Sequence, residues 1–109
     1  MFKSLQHKEQ FKLLAKEVEM HRHSVCGVWS SSRGIGCYLT EIAWLSGMTR
    51  RDVITTAMVL KHMNQAFGLD RSNISHIVEA FDNHCWTPRR AGEEDYRRVE
   101  AVVNQIEVE

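Results

Sequence analysis

Hydrophobic residues recur at helical spacing in five segments of the chain, and glycines or polar runs separate these segments. The first predicted helix covers residues 4–23, with Ser4 as its candidate N-cap. Its apolar positions lie three and four residues apart and predict one buried face, made of Phe11, Leu14, Ala15 and Val18.

The helical pattern breaks after this segment. Residues 25–29 mix β-branched and aromatic side chains and predict one short β element. Residues 30–36, rich in serine and glycine, predict a loop. Because such a loop precedes a helix and carries Arg33, it could hold a phosphate, but it lacks the lysine and spacing of a P-loop.

Three further helices follow. One is expected from Tyr38 to Ser46 and ends at Gly47, which supplies a positive φ. The next is predicted from Thr49, as N-cap, to Phe67, a helix of roughly 18 residues in which Asp52 completes a capping box. The third is predicted over 71–82 after the glycine at 68, with Asp70 as its cap.

Residues 83–92 read as a linker, and a last helix is predicted over 93–106 because its acidic first turn suits the positive end of the helix dipole. The sequence thus predicts a mainly α fold of about five helices. Residues 1–109 are expected to form a single helical domain around a helix-turn-helix core at 38–82.

Composition narrows the class of protein. With 109 residues, 43% of them hydrophobic, and no apolar run long enough to span a bilayer, the chain is expected to be soluble and cytoplasmic. Three unevenly spaced cysteines do not describe a disulfide framework. No Ser-His-Asp or paired-carboxylate arrangement rises above chance, so no enzyme and no cofactor are expected.

The formal net charge is zero, but the charges are unevenly distributed. Residues 21–61 carry five basic and two acidic groups, whereas residues 93–109 carry two basic and six acidic ones. The basic central region could bind a polyanion such as DNA locally, away from the acidic C-terminal region. The zero net charge nevertheless weakens any expectation of strong non-specific binding to nucleic acid.

Two stretches fit a helix-turn-helix, which needs a small residue at the helix crossing, a glycine at the turn, an apolar residue after it, and a β-branched residue six positions past the glycine that holds the second helix against the core. In the first, Ala43, Gly47, Met48 and Val53 take these positions. This stretch resembles the motif of winged-helix and related bacterial regulators. The resemblance implies that the residues toward DNA are Thr49, Arg50, Arg51 and Thr55.

The second stretch, from Met63 to Ile77, places apolar residues or glycine at every required position, but Asn64 stands where alanine is usual and must find a partner. Its segment GLDRSNIS resembles the turn and reading helix of phage Cro-type proteins. The likeness implies contacts to bases or phosphates from Arg71, Ser72, Asn73, Ser75 and His76.

The two stretches share the helix that ends at Phe67, so it reads DNA in one and supports the reader in the other. The second is slightly favoured for its fuller apolar pattern. The resemblance implies a bacterial, phage or plasmid transcriptional regulator that binds double-stranded DNA as a homodimer, with the first or the last helix as the dimer face.

Alternatives remain at this point. A small protein-interaction module, such as a phage-type inhibitor or adaptor, fits the neutral charge equally well, and a ribbon-helix-helix dimer would use residues 25–29 as its ribbon. Any two consecutive helices joined by a glycine C-cap and a threonine or aspartate N-cap also match the helix-turn-helix pattern. A zinc site is a minor hypothesis because the spacing of its candidate ligands is loose; these are His21, His23, Cys26, His84 and Cys85.

Overall fold

The computed structural model describes residues 1–21, 38–49, 55–82 and 93–109. The backbone in these ranges forms five α-helices, which are α1 (Leu5–His21), α2 (Tyr38–Leu45), α3 (Thr56–Phe67), α4 (Arg71–Asp82) and α5 (Glu93–Gln105). The prediction of a mainly helical chain is confirmed. The predicted β element at 25–29 and the loop at 30–36 lie outside the described residues.

Ser4 caps α1 as predicted. Its hydroxyl accepts a hydrogen bond from the backbone N–H of His7 at 3.2 Å, and its carbonyl accepts one from the N–H of Lys8 at 3.1 Å. The helix then buries the face that the apolar spacing predicted, and its fully buried members are Phe11, Ala15 and Val18.

Gly47 ends α2 with a Schellman motif. Its φ is +109°, its N–H donates to the carbonyl of Trp44 at 3.2 Å, and the N–H of Met48 donates to the carbonyl of Ala43 at 2.9 Å. Met48 packs against the core. These bonds satisfy two carbonyls that a helix end would otherwise leave unpaired.

The start of α3 differs from the prediction. The helix begins at Thr56 rather than at Thr49, and Thr55 is its N-cap, with a side chain that accepts from the N–H of Met58 at 3.2 Å. The buried residues of α3, Val59, Met63 and Phe67, begin only after this cap. Residues 50–54 lie outside the described ranges.

One hydrophobic cluster contains residues from all five helices. The pairs of described helices that pack most closely are α4 with α5, α1 with α5, α1 with α2, α2 with α3, α2 with α4, and α1 with α3. The consecutive helices α3 and α4 are not among these pairs.

The two ends of the chain lie together at the edge of this cluster. Phe2 forms an isolated parallel bridge with Val108, since its N–H donates to the carbonyl of Glu107 at 2.9 Å and its carbonyl accepts from the N–H of Glu109 at 2.8 Å. The N–H of Lys3 donates to the carbonyl of Phe67 at 2.9 Å. The first three residues therefore lie over the turn between α3 and α4.

This arrangement predicts unequal costs for two glycine substitutions. Both Gly47 and Gly68 have a positive φ, so alanine at either position should cost about 1–2 kcal/mol of unfolding free energy. A Cβ at Gly47 would meet open space, whereas a Cβ at Gly68 would come within 2.8 Å of the Met1 carbonyl oxygen and 3.0 Å of the Lys3 amide nitrogen. Gly68→Ala should therefore cost about 1–3 kcal/mol more than Gly47→Ala, because the N-terminal segment must move.

Urea denaturation of the two variants beside the parent protein measures this difference. Equal losses at the two positions would contradict the described contact between the N-terminal segment and the turn.

Candidate nucleic-acid interface

The turn of the second stretch is built as the sequence predicts. Gly68 adopts φ +85° and its N–H donates to the carbonyl of Asn64 at 2.9 Å, which ends α3. The side-chain amide of Asn64 is exposed and donates to the carbonyl of Leu69 at 3.3 Å. Asn64 thus finds a partner in the turn itself, where alanine could offer none.

A reciprocal capping box begins α4. The N–H of Asn73 donates to a carboxylate oxygen of Asp70 at 2.8 Å, and the N–H of Asp70 donates to the side-chain oxygen of Asn73 at 3.1 Å. The terminal ammonium of Met1 also lies 3.3 Å from that oxygen. Bidentate reading of adenine would need the same oxygen as an acceptor, so Asn73 could read a base in this way only by leaving the cap.

The predicted DNA-contacting residues of α4 do not share one surface. Arg71, Ser72, Ser75 and His76 are exposed and Asn73 is half-buried. Of these five residues, only Ser72, Asn73 and His76 also line an open cleft of about 820 Å³ between α4 and the end of α5. We call it the α4–α5 cleft; its other lining residues are Met1, Asp70, Glu79, Ala80, Val102, Gln105, Ile106 and Glu107.

The α4–α5 cleft has charges of both signs around it. Asp70, Glu79 and Glu107 line it together with the ammonium of Met1. Two further cations contact the backbone of its lining, since Arg98 donates to the carbonyl of Ala80 at 3.1 Å and Lys8 donates to the carbonyl of Ile106 at 2.9 Å. A phosphate approaching Ser72 or His76 would therefore meet carboxylates as well as cations.

The first stretch leads to a different surface. Thr49 and Thr55 are exposed, and Arg50 and Arg51 between them lie outside the described residues. Residues 46–55 separate α2 from α3, a connection longer than the short turn of a helix-turn-helix.

The exposed face of α3 carries no carboxylate. Aspartate and glutamate are absent from the whole range 53–69, and the exposed residues Lys61, Asn64 and Gln65 lie on one side of the helix. The ammonium of Lys3 donates a hydrogen bond to the carbonyl of Gln65 and adds a second cation at the end of this face. We call it the α3 face.

A polar link that no local sequence pattern predicted joins α2 and α3. The Ser46 hydroxyl lies 2.8 Å from the carbonyl oxygen of Ile42 and 2.8 Å from Nε2 of His62. If the hydroxyl donates to that carbonyl, it accepts from the ring N–H. Burial lowers the pKa of His62 below its usual value of 6.5. The one hint of this link in the sequence is that His62 directly precedes Met63, an apolar residue that the structure shows to be buried.

Two further features predicted or excluded from the sequence are a zinc site and a membrane-spanning helix. Among the described residues, no group of three histidine, cysteine, aspartate or glutamate side chains could hold a metal ion. The candidate zinc ligands His23, Cys26, His84 and Cys85, and the side chain of His21, are not part of what the structure describes. None of the described helices is long and apolar enough to cross a membrane.

No protein-family model, curated protein or solved structure matches this chain.

The lowered pKa of His62 predicts acid sensitivity of the fold. Below pH 6.5 the unfolded chain takes up a proton at this ring more readily than the folded chain, so stability is full above that value and falls as the pH drops through the folded-state pKa. The melting temperature between pH 7.5 and 5 should decline less steeply in His62→Gln than in the parent. If His62→Gln showed the same slope as the parent, this ring would not be the source of the acid sensitivity.

Proposed function

We propose that this chain is a small DNA-binding transcriptional regulator of bacterial, phage or plasmid type, which contacts double-stranded DNA through the α3 face and the residues leading to it. The observation that carries the proposal is the absence of carboxylates from the α3 face. Carboxylates beside a phosphate contact weaken it by repulsion, and none lies between residues 53 and 69, although Asp52 directly precedes this range.

This assignment differs from the preference for α4 that the sequence alone suggested. Arg50, Arg51 and Lys61 supply cations on or before α3, and Thr49 and Thr55 supply exposed hydroxyls that can donate to phosphate oxygens. By contrast, the α4 residues that line the α4–α5 cleft stand among carboxylates as well as cations. Electrostatics therefore favours the first stretch over the second as the contact to DNA.

A pair of charge-matched variants separates the two surfaces. Lys61→Gln and Arg71→Gln each remove one exposed positive charge, the first from α3 and the second from α4. Binding to duplex DNA should weaken roughly tenfold near 0.05 M salt in Lys61→Gln, and the slope of log affinity against log salt should fall by about one. Fluorescence polarisation across a salt series, with labelled duplexes of random sequence, measures both quantities.

Arg71→Gln should bind DNA as the parent does. If only Arg71→Gln lost affinity for duplex DNA, the contact would be assigned to α4. Failure of the parent protein to bind duplex DNA at low salt would overturn the proposal as a whole.

The proposal includes a homodimer, because one reading helix covers only a few base pairs. Within the described residues, the two large leucines that remain exposed both lie on α1, Leu5 at 64% and Leu13 at 70%, and this favours α1 over α5 as the dimer face. The apolar side of α5 is already buried in the core through Val99 and Val103.

Leu13→Glu should therefore convert a dimer to a monomer in sedimentation analysis, because it places a charge within the contact. Ala101→Glu, which puts the same charge on an exposed position of α5, should leave the dimer intact. The opposite pattern would assign the dimer face to α5, and a monomeric parent protein would exclude the dimer.

A further inference from the structure

We propose that Gln65 determines the sequence specificity of the α3 face and selects adenine through its side-chain amide, with α3 lying in the major groove of DNA. This inference rests on the proposed function and adds the base that the surface recognises. Its basis is the combination, at one end of α3, of an exposed amide that is available to a ligand with backbone carbonyls that are already paired.

The side chain of Gln65 is available to a ligand, unlike that of its neighbour. Gln65 is exposed in the last turn of α3, and its side chain forms no hydrogen bond with any residue that the structure describes. The amide of Asn64 donates to the carbonyl of Leu69 at 3.3 Å and so stabilises the turn. Of the two neighbouring amides on the α3 face, the one at Gln65 can therefore bind a base.

The carbonyls at the end of α3 do not stand in the way of DNA. The last carbonyls of a helix are normally unpaired and carry partial negative charge, which repels a phosphate backbone. In α3 the Lys3 ammonium donates to the carbonyl of Gln65, and the Lys3 N–H donates to that of Phe67 at 2.9 Å. The Gly68 N–H donates to the carbonyl of Asn64 at 2.9 Å. Three of these carbonyls are thus paired, one of them with a cation.

Charges of both signs lie around this end of α3. Lys3 and Lys61 are the cations. Asp70 follows the turn, and Glu107 and Glu109 pair through their backbone with the N-terminal segment. Selection of a base depends on the geometry of hydrogen bonds rather than on net charge, so a neutral amide can perform it in these surroundings.

A glutamine amide matches adenine because it can donate one hydrogen bond and accept another. In the major groove adenine presents an amino group that donates, next to a ring nitrogen that accepts, and glutamine can pair with both. The groove is wide enough to admit an α-helix. Lys61 lies one turn before Gln65 on the same side of α3, and Ala57 lies one turn before Lys61. The small side chain of Ala57 leaves room for the helix to approach the base edges.

Selection of binding sites from random duplexes by the full chain tests the inference. Sites bound by the parent should share an adenine at one fixed position, and Gln65→Ala should lose this preference alone. Gln65→Arg should replace that adenine by guanine, because arginine pairs with the two acceptors of guanine. Gln105→Ala, which removes an exposed amide at the end of α5, should select the same sites as the parent. The Lys3 contact at Gln65 is made to the backbone carbonyl, so both substitutions at this position keep it.

A modified duplex measures the contact itself. Replacing the accepting ring nitrogen of the selected adenine by a C–H group should weaken binding of the parent roughly tenfold, because it removes half of the paired contact. The same replacement should leave the affinity of Gln65→Ala unchanged. Fluorescence polarisation of labelled duplexes gives all four affinities.

The inference would be overturned by an unchanged base preference in Gln65→Ala, or by equal losses of the parent and Gln65→Ala on the modified duplex. In either case the DNA proposal stands if binding to random duplexes still depends on Lys61. A parent protein that binds no duplex DNA would overturn both.

Discussion

The packing of Phe11 between Phe2 and Phe67 holds the two ends of the chain and the turn after α3 in place. The Phe11 ring meets the Phe2 ring edge-on with centroids 5.8 Å apart, and meets the Phe67 ring with centroids 5.2 Å apart. All three side chains are essentially excluded from solvent. With Phe2 anchored, its own backbone pairs with Glu107 and Glu109, and the N–H of Lys3 donates to the carbonyl of Phe67, which places the first residues of the chain over Gly68.

This anchoring decides which surfaces remain open. The N-terminal segment covers one side of the turn between α3 and α4, and its ammonium lies against the cap of α4. The close packing of α4 with α5 then brings the carboxylate of Glu107 toward those of α4. A chain with no net charge thereby presents a cleft with charges of both signs at α4 and α5 and a carboxylate-free face on α3.

Much of the fold was predictable because its signals are local. Ser4, Asp70 and the two turn glycines act within a few residues of themselves, so their types and spacing identified four helix boundaries correctly. The start of α3 was not predictable in this way. Thr49 and Thr55 are both good caps, and the choice between them depended on where the helix begins to bury side chains against α1 and α2.

The amino-acid sequence by itself determined the five helical segments, their apolar faces and the conformation of their turns, because these follow from periodicity and from the backbone preferences of single residues. Only the tertiary structure decided what the polar residues do. It placed the His62 ring beside the Ser46 hydroxyl and the Asn73 side chain in the cap of α4. It also placed Ser72 and His76 along the α4–α5 cleft. These outcomes depend on contacts between residues that are distant in sequence, since the field at a side chain is set by whichever helices pack beside it.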